Sequence, residues 1–141
     1  MSGLVVDASV AIKWYVAEES SDLADGILRE PVDIHAPQLL KAEVANALCK
    51  YERRDVIDIE QAQLALQNVA RAVNHWHPCD SYLAEALRLA IELDHPVYDF
   101  FYLCLARELG VSCVSADRRL LNKLSGTSLG SRVVHLADWR P

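Results

Sequence analysis

The chain has 141 residues, 52% of them hydrophobic and 24% charged, with a net charge of −6. That suffices for one substantial core, so a single domain over residues 1–141 is expected, and the acid excess excludes a protein that coats nucleic acid wholesale while leaving room for a local basic rim. Lys13, Glu18 and Glu19 interrupt the N-terminal apolar stretch well before a span of ~18 residues, and no basic segment precedes it, so the expectation is a cytoplasmic protein without a membrane span or secretory leader.

In chain order, Leu4–Val6 reads as a strand and Val10–Val16 as a first helix. Ser20, Ser21 and Asp22 offer an N-cap for a second helix ending near Arg29. Val32–His35 is a second strand closed by Pro37. From Gln38 to about Arg53, Leu40, Val44, Ala47, Leu48 and Tyr51 share one helical face, and Ile59–Val73 repeats the pattern. A short strand follows at His75–His77. Helices are expected at Ser81–Leu93 and Asp99–Leu109, the latter with Gly110 as C-cap. Val111–Ser115 is a β-branched strand, Asp117–Leu124 a helix, and Arg132–Leu136 the closing strand. Strands separated by helices require crossover connections, so the fold class is α/β: a sandwich on a mainly parallel sheet of about five strands.

Cys49, Cys79, Cys104 and Cys113 form no CxxC pair, and three of the four lie in apolar runs, so buried reduced thiols are expected rather than zinc ligands or disulfides.

Asp7 and Asp117 each follow a predicted strand and open a helix, which puts both at the carboxyl edge of a parallel sheet, where crevices form. Glu43 lies about 60° from Leu40 and about 40° from Ala47 around its helix, on the flank of the apolar stripe. A carboxylate there needs water, a partner or a metal, and Asn46 sits one turn further along the same flank. Asp99 begins a helix among Val97, Tyr98, Phe100 and Phe101. Each has a structural explanation as a cap or a snorkelling side chain. Together they are four carboxylates in apolar segments with no adjacent cation, and converging carboxylates repel unless neutralised. An all-oxygen set suits Mg²⁺ or Mn²⁺, ions that activate water for attack at phosphorus.

The segments "VVDASVAIKW", "APQLLKAEVANAL", "VYDFFYLCLARELG" and "CVSADRRLL" resemble, in order and spacing, the PIN-domain ribonucleases, and within them the VapC-type toxins of toxin–antitoxin pairs. The resemblance runs the length of the chain. It implies a doubly wound, PIN-like sandwich with the first and fourth strands adjacent, and Mg²⁺- or Mn²⁺-dependent endonucleolytic cleavage of RNA. Asp7, Glu43, Asp99 and Asp117 match the acidic catalytic and metal-binding cluster, with Ser9, Asn46 and Ser115 as supporting hydroxyl and amide groups. Phe100 stands where a small residue is common, which bears on pocket shape. The resemblance also implies a homodimer and a cognate antitoxin protein. Ala11, Ile12, Trp14 and Tyr15 are compatible with such interfaces and equally with core packing. Lys50, Arg53 and Arg54, and Arg118, Arg119 and Lys123, are candidate RNA-binding clusters or solvated helix faces.

Other classes fit less well. A receiver-type regulatory domain needs paired acids after the first strand and an aspartate ending a central one. A haloacid-dehalogenase-type phosphatase needs a second aspartate where Ser9 stands. Ser9 lacks the elbow and base of a hydrolase nucleophile. A catalytically inactive PIN-like binding module is the non-enzyme alternative, and its signature would be a missing acid. His75 and His77 could bind a metal on one strand face, although a packing role at the core and rim is preferred.

Overall fold

The structure is a computed structural model that describes residues 3–141. Five strands, β1 (Gly3–Val6), β2 (Asp33–Pro37), β3 (His75–His77), β4 (Ser112–Ser115) and β5 (Val133–His135), form one sheet in the order β3-β2-β1-β4-β5. Every pairing is parallel. The helices are α1 (Ala8–Ala11), α2 (Ser21–Leu28), α3 (Leu39–Arg53), α4 (Ile59–Ala72), α5 (Leu83–Leu93), α6 (Tyr98–Leu109) and α7 (Arg118–Leu124). The expected α/β class and strand number are those observed. With β1 between β2 and β4, strand order reverses at the β1/β4 boundary, which is where an open parallel sheet forms its crevice. A receiver-type sheet has the order 2-1-3-4-5, so that alternative is removed by topology.

Burial follows from the central position of β1: Leu4, Val5 and Val6 are inaccessible on both faces. Helix α6 is also covered all round, with every residue from Phe100 to Ala106 buried, so it shows no polar stripe in the sequence. It ends on Gly110 at φ +69°, a left-handed cap where glycine carries no steric cost. Helix α4 starts with a capping box between Asp58 and Gln61 that the sequence reading passed over.

Several expected boundaries shift. The first helix begins at Ala8, because Asp7 caps it, and passes into a 3-10 turn at Ile12–Trp14. There the Trp14 indole N–H donates to the Ala24 carbonyl at 2.9 Å, drawing the turn against α2. Ala11, Ile12 and Trp14 are therefore core residues, leaving Tyr15, 38% exposed, as the member of that group available to a partner. Ser20 occupies the N-cap position of α2 but makes no capping bond with its side chain. The last strand stops at His135, whose Nδ1 accepts the Ala137 N–H at 3.0 Å and starts a 3-10 turn over Leu136–Asp138. All four cysteines are free, yet only Cys104 and Cys113 are buried; Cys49 is exposed on α3 because its apolar neighbours face the other way.

Gly130 makes a close approach in the turn before β5. A Cβ on it would lie 2.8 Å from the Leu124 carbonyl oxygen, which belongs to backbone and cannot swing aside. Gly130→Ala should lower stability by about 1–3 kcal/mol, read from the denaturant midpoint at unchanged m-value.

Candidate active site

Strand β1 delivers Asp7 to the carboxyl edge of the sheet, where it is 5% exposed. Its Oδ1 accepts the Ser9 hydroxyl at 2.5 Å and the Val10 N–H at 3.3 Å, the usual work of a helix N-cap. Ser9 Oγ in turn accepts the Ala116 N–H at 2.9 Å and lies 3.4 Å from Ser115 Oγ. Ser115, fully buried, accepts the Asp117 N–H at 3.1 Å. With the Asp7 N–H donating to the Val114 carbonyl, this chain of bonds laces the end of β1 to the end of β4. It places Asp7 and Asp117 on the neighbouring strand ends where both were expected.

Glu43 enters from α3, half-buried, and its Oε1 accepts the Tyr102 hydroxyl at 2.5 Å. Asp99, in the first turn of α6, holds its Oδ2 2.7 Å from His95 Nε2. The Phe100 ring meets His95 edge-on, with centroids 5.7 Å apart. Phe100 itself is completely buried, so its bulk fills the core and supports His95 instead of narrowing the crevice.

Burial pushes the Asp7 carboxyl up to about 6, with the charge of Asp99 acting in the same direction against the bonds from Ser115, Ser9 and Val10. Burial likewise raises Glu43, again with Asp99 adding, while the Tyr102 hydroxyl opposes the shift. Asp7, Glu43 and Asp99 thus share one electrostatic field. Among the described residues no Lys or Arg forms an ion pair with any of the four acids, and the His95 imidazole is the one basic side chain in contact with them, on Asp99. Asp117 is arranged differently: its Oδ1 caps α7 by accepting the N–H groups of Arg119 at 3.0 Å and Leu120 at 3.4 Å. Among the described residues, the four acids include no trio with ligand atoms within 4.8 Å of one another.

The donor set fits a hard divalent cation. It consists of carboxylate oxygens, one of them buried and unneutralised, and the nearest imidazole already faces Asp99. The Cys113 thiol feels Asp7 and Asp99 but is pushed well up by burial and stays protonated, which removes a soft ligand.

Two clefts flank the cluster. One, of about 290 Å³, contains Glu43, Asn46, Lys50 and Arg54; the other, of about 320 Å³, contains Asp117, Arg118, Arg119 and Lys13. Arg53 departs from its expected cluster, since one residue turns a helix by about 100° and it lines a groove between α3 and α4 beside Ile59. Lys123 is exposed on α7 and lines neither cleft. Tyr102 and His95 were missed by sequence reasoning. Tyr102 was legible as the residue three after Asp99 on a shared helix face, and His95 as the residue four before it.

A parallel sheet reversing at β1/β4, with acids gathered beyond that edge, defines the class: the chain belongs to the PIN domain family, whose model matches residues 4–125. Among its relatives is Ribonuclease VapC3 of Pyrobaculum aerophilum, 33% identical over 122 residues that cover 85% of this chain and 93% of the relative. The solved structure of PAE2754 from the same organism has a TM-score of 0.69 at 27% identity, covering 96% of this chain and 85% of that one. A toxin–antitoxin complex from Klebsiella pneumoniae shares the fold, with a TM-score of 0.66 at 15% identity over 96% of this chain and 98% of that one.

Proposed function

We propose that this chain, as one PIN-like unit over residues 1–141, is a divalent-metal-dependent endoribonuclease and the toxin of a toxin–antitoxin pair. The observation that carries the reading is Asp7: buried, uncompensated and sharing a field with Asp99, at the carboxyl edge where strand order reverses. Carriage of the ribonuclease name by relatives such as VapC3 supports the substrate class. Asp7, Glu43, Asp99 and Asp117 would hold Mg²⁺ or Mn²⁺. Such an ion, when bound, supplies an activated water and offsets charge developing at phosphorus.

The chain's own groups do the orienting. Ser9, with Ser115 beside it, fixes Asp7. Tyr102 occupies Glu43 Oε1 and leaves the other oxygen free, and His95 holds Asp99. Lys50 and Arg54 on one side, and Lys13, Arg118 and Arg119 on the other, would take flanking phosphates of the RNA. A cytoplasmic placement is part of the proposal; no described helix is long and apolar enough to cross a membrane. Pairing with a cognate antitoxin and self-association as a homodimer complete the proposal, resting on the family resemblance.

The test is cleavage of a pool of structured RNAs by antitoxin-free protein, with Mg²⁺, with Mn²⁺ and with EDTA. Metal-dependent cuts are expected, lost about 10²-fold or more in Glu43→Gln at matched folding. Cuts that persist in EDTA or in the variant would overturn the assignment. Intact RNA together with no metal uptake would favour a binding module.

A further inference from the structure

A second group of ligands lies away from the acidic edge, on β2 and the edge strand β3. Alternation puts Asp33 and His35 on one face of β2, and His75 and His77 on one face of β3. The parallel register sets His35 opposite His75 and His77 opposite Pro37. The rings of His35 and His75 accordingly stack, with centroids 4.5 Å apart at 21°. Asp33, His35 and His75 each bring one ligand atom within 4.8 Å of the other two, and among the described residues no other trio of His, Cys, Asp and Glu does so.

The geometry points to a transition-metal site, of the Zn²⁺ type, formed by Asp33, His35 and His75. Tetrahedral coordination with bonds of about 2.0–2.1 Å separates ligand atoms by roughly 3.4 Å. Asp33 Oδ2 and His75 Nε2 stand 3.4 Å apart, longer than an ordinary hydrogen bond and equal to that edge. His35 Nδ1 lies 2.9 Å from His77 Nε2. With Nδ1–H donated to His77, Nε2 is the free ligand atom of His35, the arrangement by which an outer partner sets the tautomer of a metal-bound imidazole. The same Nε2 passes over Gly3, where a Cβ would come within 3.4 Å of it, so β1 leaves that side of the ring clear.

Donor chemistry separates this place from the acidic cluster. Two imidazoles and one carboxylate suit a borderline ion, whereas the carboxylates around Asp7 suit a hard one. Position separates them too, because Asp33 pairs with Gly3 at the start of β1 and Asp7 follows its end. Three protein ligands leave a fourth position for water. The three-residue strand β3 is the element that such an ion would clip to the sheet.

Zinc uptake measured by chelator competition in millimolar Mg²⁺, together with the thermal midpoint, tests the site. The wild type should take up one Zn²⁺ and melt at a higher temperature with it. Asp7→Asn should keep both effects, because its acidic cluster is elsewhere, which makes this test independent of the ribonuclease reading. His75→Gln, at a half-exposed side chain, should melt like the wild type without metal. It should bind Zn²⁺ about 100-fold more weakly and lose the thermal gain, and His77→Gln should weaken binding by about 10-fold. Absence of uptake by the wild type, undiminished uptake by His75→Gln, or uptake lost in Asp7→Asn would each overturn the site.

Discussion

Asp7→Asn is expected to raise the thermal midpoint of the metal-free protein above pH 6 while abolishing RNA cleavage. The carboxyl moves from its ordinary 3.8 to about 6 on folding, chiefly because burial disfavours its charge. At about 1.4 kcal/mol per unit, ionising it in the folded protein costs on the order of 3 kcal/mol. The folded state therefore holds a proton that the unfolded state has released between about pH 4 and pH 6. Across that window wild-type stability falls as pH rises, and above about 6 the loss is complete. An asparagine keeps an oxygen for Ser9 and Val10 without the charge, so the variant lacks this slope. The gap between variant and wild type should open from about pH 4, level off above 6, and reach roughly 1–3 kcal/mol once the cost of burying the amide is deducted. Mg²⁺ or Mn²⁺ should narrow it by favouring the ionised carboxylate of the wild type. Melting curves of both proteins at four pH values, with and without metal, decide the matter. A gap that ignores pH would refute the assigned burial penalty, and a variant that still cuts RNA would remove Asp7 from the cluster.

Phe100→Ala should lower stability by about 3–5 kcal/mol, among the largest losses available to a single substitution here. The ring is inaccessible, within the helix buried all round, and truncation leaves a cavity that neighbours held by the sheet cannot collapse into. A midpoint drop on the order of 10 °C follows for a chain of this size. The same change removes the edge contact that supports His95, and through it the orientation of Asp99. Phe100→Leu keeps most of the volume and should lose far less. Little destabilisation in Phe100→Ala, combined with altered cleavage positions, would instead mean that the ring shapes the crevice.

These two residues show how differently position and chemistry are written in the chain. Alternation of short β-branched runs with 3.6-residue periodicity pointed to crossover connections, and hence to the α/β class with a mainly parallel sheet, because a helix between two strands carries the chain back to the edge where the first began. The rule that parallel strands open their crevice at the carboxyl edge then marked Asp7 and Asp117 from local sequence alone. Glu43 was marked by lying on the flank of an apolar stripe. All of this is short-range information, carried by spacing within one element or its immediate flank.

Long-range relations were a different matter. Trp14 reads equally as interface surface or as core until its indole is seen to bond the Ala24 carbonyl. Tyr102 lies among six apolar or aromatic neighbours in α6, and only the packing of α6 and α3 on the same strand, β2, brings its hydroxyl to Glu43, 59 positions away. Lys50 and Arg53 are three apart, yet helix rotation sends them to different clefts. The histidines of β3 read as packing residues because their partner, His35, lies 42 positions from His77 and meets it only through the β2–β3 register. Periodicity states which face a side chain occupies, but the groups it meets across that face are set by strand order and register, and these are properties of the assembled sheet.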